Sequence, residues 1–281
     1  MRLDRPTLVL AVVSLASTVL ATGCTSGSEA EPGSLLAEIN DSERLTIGIR
    51  LDQPGLSERT VDGRFTGFDV EVASYVAGEL GVDPADITWR ETTSATREED
   101  LTSGRVDLVV AAYSITESRK KQVAFAGPYF ETGQDLLVRH PSAEITGPDT
   151  LNGRKLCSVA GSTSAQQVRD RFAQSVELVE YPRYRDCVTA LLAGQVDAVT
   201  TDAVILAGYA AEHPELLEVV GKQFSTERYG VGLRKGDAAT RSAINEAIEK
   251  MIDTGTWLDA LEHNIGPSGY RLPDPPEVTE G

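Results

Sequence analysis

The segment Gly104–Phe130, GRVDLVVAAYSITESRKKQVAFAGPYF, decides the fold prediction for this chain. Val106–Ala112 is almost entirely apolar and rich in valine, which is typical of a strand buried in a parallel sheet. The strand ends at Tyr113 and Ser114, and Arg119 follows five residues after Ser114, about one helical turn on. Ligands of open α/β sheets bind beyond the carboxyl ends of the strands, so this hydroxyl and this cation are placed to hold a carboxylate. A strand followed by an ordinary solvated loop is an equally good interpretation of these residues alone.

A second copy of this layout lies further along the chain. Gly104–Val109 and Gly194–Val199 share the pattern G-x-V-D-x-V, and each opens a predicted strand that ends in polar residues, the second at Asp202. A free amino acid carries two opposite charges, and burying both is tolerable only where each meets an opposite partner. Arg119 and Asp202 would be those partners. The alternative is a chance likeness, because helix–glycine–strand connections are common in α/β proteins.

Length and charge limit the classes of function. The 281 residues are enough for one large domain or two smaller ones with a substantial core. The formal net charge is −17 and the pI is near 4.6. No run of basic residues offsets this acidic excess, so no nucleic-acid partner is expected.

Residues 1–23 have the pattern of a secretory signal, in which two arginines precede the uncharged run Leu8–Leu20. That run is too short for a comfortable membrane span. Ala21–Cys24 resembles a lipobox that lacks the usual leucine three places before its cysteine. We therefore predict a lipoprotein signal peptide, lipidation of Cys24 and a flexible tether over residues 24–40. An ordinary secreted protein that is cut nearby is the alternative.

Cys157 and Cys187 remain once Cys24 is assigned to lipid, and an exported chain folds in an oxidising space. Two leftover thiols most simply form one disulfide. Cys157 falls in a predicted strand over 155–160 and Cys187 in a predicted helix over 184–193, so the bond would tie a helix to its sheet. A metal pair is less favoured because no histidine lies close to either cysteine. No metal and no cofactor are predicted.

Five motifs in order give the chain a resemblance to a known family. They are Thr66–Val70 (TGFDV), Ser114–Arg119 (SITESR), Phe125–Phe130 (FAGPYF), Gly161–Thr163 (GST) and Thr201–Asp202. From about Leu45 to about Ile265 the sequence resembles the amino-acid-binding proteins of bacterial ABC importers, solute-binding protein family 3. Within that family it is most similar to the glutamate-binding lipoproteins.

The resemblance implies an α/β fold of two lobes, the type II arrangement of periplasmic binding proteins, with a mixed sheet flanked by helices in each lobe. The ligand would lie in the cleft between the lobes, which would close about a hinge. The implied boundaries are lobe 1 over 41–138 and 229–270, lobe 2 over 139–228, a flexible tail over 271–281, and hinges near Val138–His140 and Phe224–Tyr229. The implied partners are an amino acid, an importer permease and, through the lipid on Cys24, the outer face of the cell membrane; the protein would act as a monomer.

The resemblance also implies a ligand-binding set. It consists of Arg50, Ser94, Arg97, Ala112, Ser114, Arg119, Ser162, Thr163 and Asp202. Arg119, with backbone N–H groups of Ser114 and Thr163, would bind the α-carboxylate at a helix start. The α-ammonium would meet Asp202, the Ser114 hydroxyl and the Ala112 carbonyl.

Selectivity would come from Arg50 and Arg97, which stand where the family contacts the ligand's side chain. Two cations there favour a distal carboxylate, because a neutral side chain would leave both guanidinium groups buried without a counter-charge. Glutamate is the expected ligand and aspartate the second choice, with glutamine, asparagine and solvent-exposed roles for the arginines as alternatives. The aromatic residue that many members carry after the first strand is replaced by Asp52–Pro54.

The enzymatic alternative is a dehydratase, since some proteins of this fold have that activity. The three histidines, His140, His213 and His263, fall in or beside predicted loops and helix ends, and no nucleophile–base pair is evident. No catalytic residue is assigned, and a binding protein is expected.

Overall fold

The computed structural model describes residues 33–141, 144–162, 164–171 and 176–281. The predicted signal peptide, Cys24 and Thr163 lie outside the described residues. The helices are α1 Leu35–Ser42, α2 Phe68–Glu79, α3 Arg97–Thr102, α4 Glu117–Lys120, α5 Ser164–Arg171, α6 Tyr184–Leu192, α7 Ala203–Glu212, α8 Ala238–Asp253 and α9 Thr256–Asn264, with 3₁₀ turns at Pro84–Asp86, Pro148–Thr150 and Gly266–Ser268. The strands are β1 Leu45–Ile49, β2 Asp52–Gln53, β3 Ser57–Arg59, β4 Phe65–Thr66, β5 Ile87–Glu91, β6 Leu108–Val109, β7 Ala124–Thr132, β8 Gln134–Arg139, β9 Lys155–Val159, β10 Glu177–Tyr181, β11 Ala198–Asp202, β12 Leu217–Val219 and β13 Glu227–Leu233.

Lobe 1 is built on a five-stranded mixed sheet. Its strand order is β5-β1-β6-β13-β7, with β1 parallel to β5 and β6, and with β13 antiparallel to β6 and β7. Leu45 and Ile47 of β1 share one apolar core with Val72 and Val76 of α2. The four-residue spacing of these valines places both on one face of the helix.

Lobe 2 has its own five-stranded mixed sheet. The order is β10-β9-β11-β8-β12, with β9 parallel to β10 and β11, and with β8 antiparallel to β11 and β12. Helices α5, α6 and α7 pack on this sheet. The predicted α/β fold, with a mixed sheet flanked by helices in each lobe, is confirmed.

A small third sheet joins β2, β3 and β4 in antiparallel order. Strands β3 and β4 pack on α2 of lobe 1, whereas β2 contacts α6 and α7 of lobe 2. Strand β2 is therefore a place where the two lobes meet.

The lobe boundaries differ from the prediction. Strand β7 ends in the first sheet at Thr132, β8 begins in the second sheet at Gln134, and β13 begins back in the first sheet at Glu227. The chain thus crosses at Gly133 and around 225–226, not near Val138–His140. Gly133 is required at the crossing because an added Cβ would lie 2.6 Å from the Ser225 carbonyl oxygen of the other connection.

Two segments that the sequence predicts as flexible are packed on lobe 1. Residues 35–40 of the predicted tether belong to α1, whose Leu35 and Ile39 are buried in the core. In the predicted tail, the N–H groups of Thr279 and Glu280 donate to the Gly127 carbonyl. Both predictions are therefore wrong for these residues. No helix in the described ranges is both long and apolar enough to cross a lipid bilayer.

A disulfide joins Cys157 of β9 to Cys187 of α6, with the two Cα atoms 5.6 Å apart. Both cysteines are fully buried. The bond ties α6 to β9, which lies between β10 and β11 in the lobe 2 sheet, and this tie of a helix to its sheet is the arrangement that the sequence predicts.

Replacing both cysteines by alanine is expected to lower the free energy of unfolding by about 2–4 kcal/mol, because the unfolded chain gains the freedom of an open loop. Urea denaturation of the two proteins measures the difference. Wild type under reducing conditions is the matched control and should approach the stability of the double variant. An unchanged free energy in the variant would contradict the prediction.

Candidate functional site

A cleft between the lobes brings together most of the predicted site residues. Its lining residues are Gln53, Ser94, Arg97, Ala111, Ala112, Ser114 and Arg119 from lobe 1, and Ser162, Ser164, Tyr184, Thr201, Asp202 and Ile205 from lobe 2. Among the predicted ligand-binding residues, only Arg50 and the undescribed Thr163 are missing from this lining. The cleft has a free volume of about 20 Å³, which is room for about one water molecule. The two lobes are therefore closely apposed here, and a ligand larger than water enters only if they move apart.

Two arginines of lobe 1 are held close to one tyrosine ring. The Arg97 guanidinium lies 4.0 Å from the centroid of the Tyr113 ring, and that of Arg119 lies 5.2 Å from it. Arg119 also donates from Nη1 to the Ser114 carbonyl at 2.7 Å. Both arginines are more than nine-tenths buried, so their charges are fixed in place at the cleft.

The charge on this side of the cleft is incompletely neutralised. Glu98 places one carboxylate oxygen 3.3 Å from Nε of Arg119 and 3.9 Å from Nε of Arg97. Burial, and then repulsion from Arg119, lower the pKa of Arg97 to about 9. Nε of Arg97 is buried without a hydrogen-bond partner in the described structure. An anionic group in the cleft would relieve both conditions.

The turn after β6 is fixed by a buried carboxylate that the sequence analysis did not single out. Ala112 has a left-handed backbone with φ of 46°, and its N–H donates to Asp69 at 2.8 Å. The Tyr129 hydroxyl donates to the other Asp69 oxygen at 2.8 Å. Burial raises the pKa of Asp69 to about 7, although these two hydrogen bonds act to lower it. The Thr66–Val70 motif contains Asp69 and was the available signal.

Lobe 2 presents a carboxylate to the same cleft. Asp202 closes β11, is 6% exposed and accepts a 2.6 Å hydrogen bond from the Tyr229 hydroxyl. Burial, and then repulsion from Glu227, raise its pKa to about 7, while Arg119 and Arg97 act in the opposite direction. The cleft therefore has cations on one lobe and a carboxylate on the other.

Arg50 is paired within the protein. It is 2% exposed, and its Nε donates to Asp52 at 3.1 Å, while Nη2 lies 2.9 Å from the same oxygen. Its charge is thus neutralised within the protein, and it is absent from the cleft lining. Nη1 and Nη2 of Arg50 are nonetheless buried without a hydrogen-bond partner among the described residues, so its contact with a ligand stays a prediction.

The structure adds cleft residues that the sequence analysis missed. Gln53 is 2% exposed and its Oε1 is buried with no hydrogen-bond partner in the described structure. It lies in the segment that lacks the family's aromatic residue. Tyr184 and Ile205 line the cleft from the first turns of α6 and α7. Each follows shortly after a strand edge, and that position was the available signal.

The candidate site has no metal-binding cluster within the part of the chain that the structure describes. Across those residues, no group of three or more His, Cys, Asp or Glu side chains is arranged to hold an ion. His140 lies on the surface, where Nδ1 is 2.9 Å from Glu218. What the cleft offers a ligand is therefore charge and hydrogen bonds.

Comparisons with known proteins agree with this geometry. The chain is 44% identical over 269 residues to the glutamate-binding protein GluB of Corynebacterium glutamicum, covering 92% of this chain and 89% of that protein. It is 36% identical over 256 residues to the ABC transporter glutamine-binding protein GlnH of Bacillus subtilis, covering 88% and 93%. The crystal structure of the ancestral amino acid-binding protein AncCDT-1, a precursor of cyclohexadienyl dehydratase, matches with a TM-score of 0.76 and 30% identity, over 83% of this chain and 100% of that one.

The family comparison covers both lobes. The model for bacterial extracellular solute-binding proteins, family 3, matches residues 45–267, which include every described residue of the cleft. Together with the two relatives above 30% identity, this match shows that the chain belongs to the bacterial extracellular solute-binding proteins of family 3.

Proposed function

We propose that this protein captures an acidic amino acid outside the cell, glutamate first and aspartate second, and delivers it to an ABC importer. The observation that carries the proposal is the pairing of Arg119 on one lobe with Asp202 on the other, with the second cation Arg97 beside Arg119. The α-carboxylate binds Arg119 and the α-ammonium binds Asp202. The distal carboxylate then lies against Arg97.

The charge at Arg97 favours an acidic over a neutral side chain. Glu98 is shared between two guanidinium groups, so the cleft lacks one negative charge on its lobe 1 side. Glutamate supplies that charge, whereas glutamine leaves Arg97 buried with only a dipole to face it. The name of the 44% identical relative supports glutamate.

Glutamine is the second candidate, and one observation favours it. The amide of Gln53 is buried at the cleft with an unpartnered oxygen, which would accept a hydrogen bond from a ligand amide. The 36% identical relative is named as a glutamine-binding protein. The electrostatic argument outweighs this one because an uncompensated buried charge costs more than an unmade neutral hydrogen bond.

A calorimetric screen of the common amino acids tests the proposal. We expect glutamate to bind tightest, aspartate next, and glutamine about a hundred-fold more weakly than glutamate. Tightest binding of glutamine or arginine would overturn the assignment of Arg97. Recovery of the bound amino acid unchanged is expected, whereas a dehydratase would release water and an altered product.

The raised pKa of Asp202 gives a pH dependence with a defined sign. Below about pH 7 the free protein holds a proton on Asp202 that an incoming ammonium group must displace, whereas above it the carboxylate is already ionised. The Kd for glutamate should therefore rise by up to about ten-fold for each pH unit below 7 and level off above it. Calorimetry across this range measures it.

Asp202→Asn is the matched control for this pH dependence, and its weaker binding should vary little with pH. Asp69, whose pKa is also raised to about 7, stays bonded to Ala112 and Tyr129 and remains in both proteins. The same slope in wild type and Asp202→Asn would therefore assign the titration to another group.

We further propose that lipid on Cys24 anchors the mature protein to the outer face of the cell membrane, where it acts as a monomer beside its permease. The support is the sequence pattern of residues 1–24. Intact mass of protein extracted from membranes is expected to show a chain that begins at a lipidated Cys24. A different amino terminus would contradict the anchor.

A further inference from the structure

One carboxylate of lobe 1 makes contacts on both sides of the interlobe boundary. Asp52, in β2, is 5% exposed and binds Arg50 of its own lobe through Oδ1. Its Oδ2 accepts the backbone N–H of Tyr184 in lobe 2 at 2.9 Å. Its backbone carbonyl accepts the hydroxyl of Tyr209, also in lobe 2.

The contact with Tyr184 satisfies a helix end. Tyr184 is the first residue of α6, and the preceding Arg183 offers no side-chain cap. The first amides of a helix need acceptors, and a carboxylate there also interacts favourably with the helix dipole. Helix α6 of lobe 2 therefore receives its cap from lobe 1, and separating the lobes would remove it.

The backbone around Asp52 fits closely against lobe 2. A Cβ on Gly208 of α7 would lie 2.3 Å from the carbonyl oxygen of Pro54, so only glycine permits this approach. Gln53 and Tyr184, one on each side of the contact, both line the cleft. The cross-lobe bonds of Asp52 thus lie directly beside the cleft.

We infer that Asp52 is a positioning residue that latches the two lobes together over the bound amino acid. Arg50 neutralises the buried carboxylate. From the other lobe, the Tyr184 amide donates to this carboxylate and the Tyr209 hydroxyl donates to the Asp52 backbone carbonyl. This inference rests on the proposed function, because a latch acts on a ligand that the cleft holds. It also reassigns Arg50 from contact with the ligand to support of the latch.

The test compares three variants of the mature full-length protein by stopped-flow kinetics with glutamate. Asp52→Ala should raise the dissociation rate at least about ten-fold and change the association rate much less, since the charged hydrogen bond forms after the ligand docks. Tyr209→Phe removes one hydroxyl and leaves the buried ion pair intact, so it should raise dissociation in the same direction by a smaller factor. It remains informative if Asp52→Ala folds poorly.

Glu91→Gln is the matched control. Glu91 also bonds across the lobes, to Arg183 at 2.6 Å, but this pair lies on the exposed rim. Exposed pairs contribute little, so the dissociation rate should change by less than about two-fold. Unchanged dissociation in both Asp52→Ala and Tyr209→Phe would overturn the latch.

The rate of amide hydrogen exchange at Tyr184 tests the latch in the absence of ligand. This amide should exchange faster in Asp52→Ala than in wild type, while amides inside α6 keep their rates. Equal exchange at Tyr184 in the two proteins overturns the latch. Failure of wild type to bind any amino acid would instead refute the proposed function, so the two failures are distinguishable.

Discussion

Replacing Arg119 by alanine is expected to weaken the binding of every amino acid by about 3–5 kcal/mol, which is roughly a hundred- to a few-thousand-fold in Kd. The guanidinium is buried, fixed by Ser114 and Tyr113, and is the group proposed for the α-carboxylate. Its loss leaves that carboxylate desolvated without a partner. Calorimetric titration with glutamate and glutamine should show losses of similar size, because both ligands share this half of the molecule.

Arg64→Ala is the control for loss of an arginine as such. Arg64 pairs with Asp62 on the surface of lobe 1, where its side chain is 75% exposed, so binding should not change. If Arg119→Ala stayed within a few-fold of wild type for both ligands, the α-carboxylate would be assigned to the wrong residue.

Replacing Arg97 by alanine should weaken glutamate binding by about 2–5 kcal/mol and glutamine binding much less. The difference in affinity between the two ligands should therefore become smaller. Arg97 is buried against the Tyr113 ring, its Nε makes no hydrogen bond within the described structure, and it is proposed to face the distal carboxylate. Only a ligand that carries this second negative charge loses an ionic partner. Parallel titrations with the two amino acids measure the difference.

Glutamine serves as the internal control in that experiment, since it matches glutamate in size and shares its α-amino acid half. A general disturbance of the cleft would weaken both ligands alike. Equal losses would therefore show that Arg97 does not choose between them, and the amide of Gln53 would become the first candidate for selectivity.

Cleft residues could be predicted from the sequence where a charged or polar side chain comes at or soon after the end of a strand. Arg119 and Asp202 lie just beyond or at the ends of strands in two copies of one pattern, and the topology of an open sheet brings such ends together. The roles of Asp69 and Tyr184 could not be predicted this way, although Tyr184 also follows a strand end. Their roles depend on contacts with Ala112 and Asp52, which are distant in sequence.

Arg50 shows why residue type at a motif position is insufficient. Asp52 lies two residues from Arg50, across a bend at Leu51, and the two side chains form a buried ion pair that the motif position alone does not predict. The predicted lobe boundary near Val138–His140 was wrong because 124–139 is one nearly unbroken run of strand residues, in which the pattern shows no change of sheet. In the structure, the close packing of Gly133 against Ser225 marks the crossing.

The packing of the two outer segments on lobe 1 determines which half of the molecule is free to swing. The Leu35 N–H bonds to Asp237 at 2.7 Å, and at the far end of the chain Glu280 pairs with Lys120. Among the described residues, the backbone passes between the lobes at Gly133 and around 225–226. A force applied at the amino end of the described chain would therefore act first on lobe 1. A permease that distinguishes loaded from empty protein would then recognise the orientation of lobe 2 relative to lobe 1, which carries the amino end.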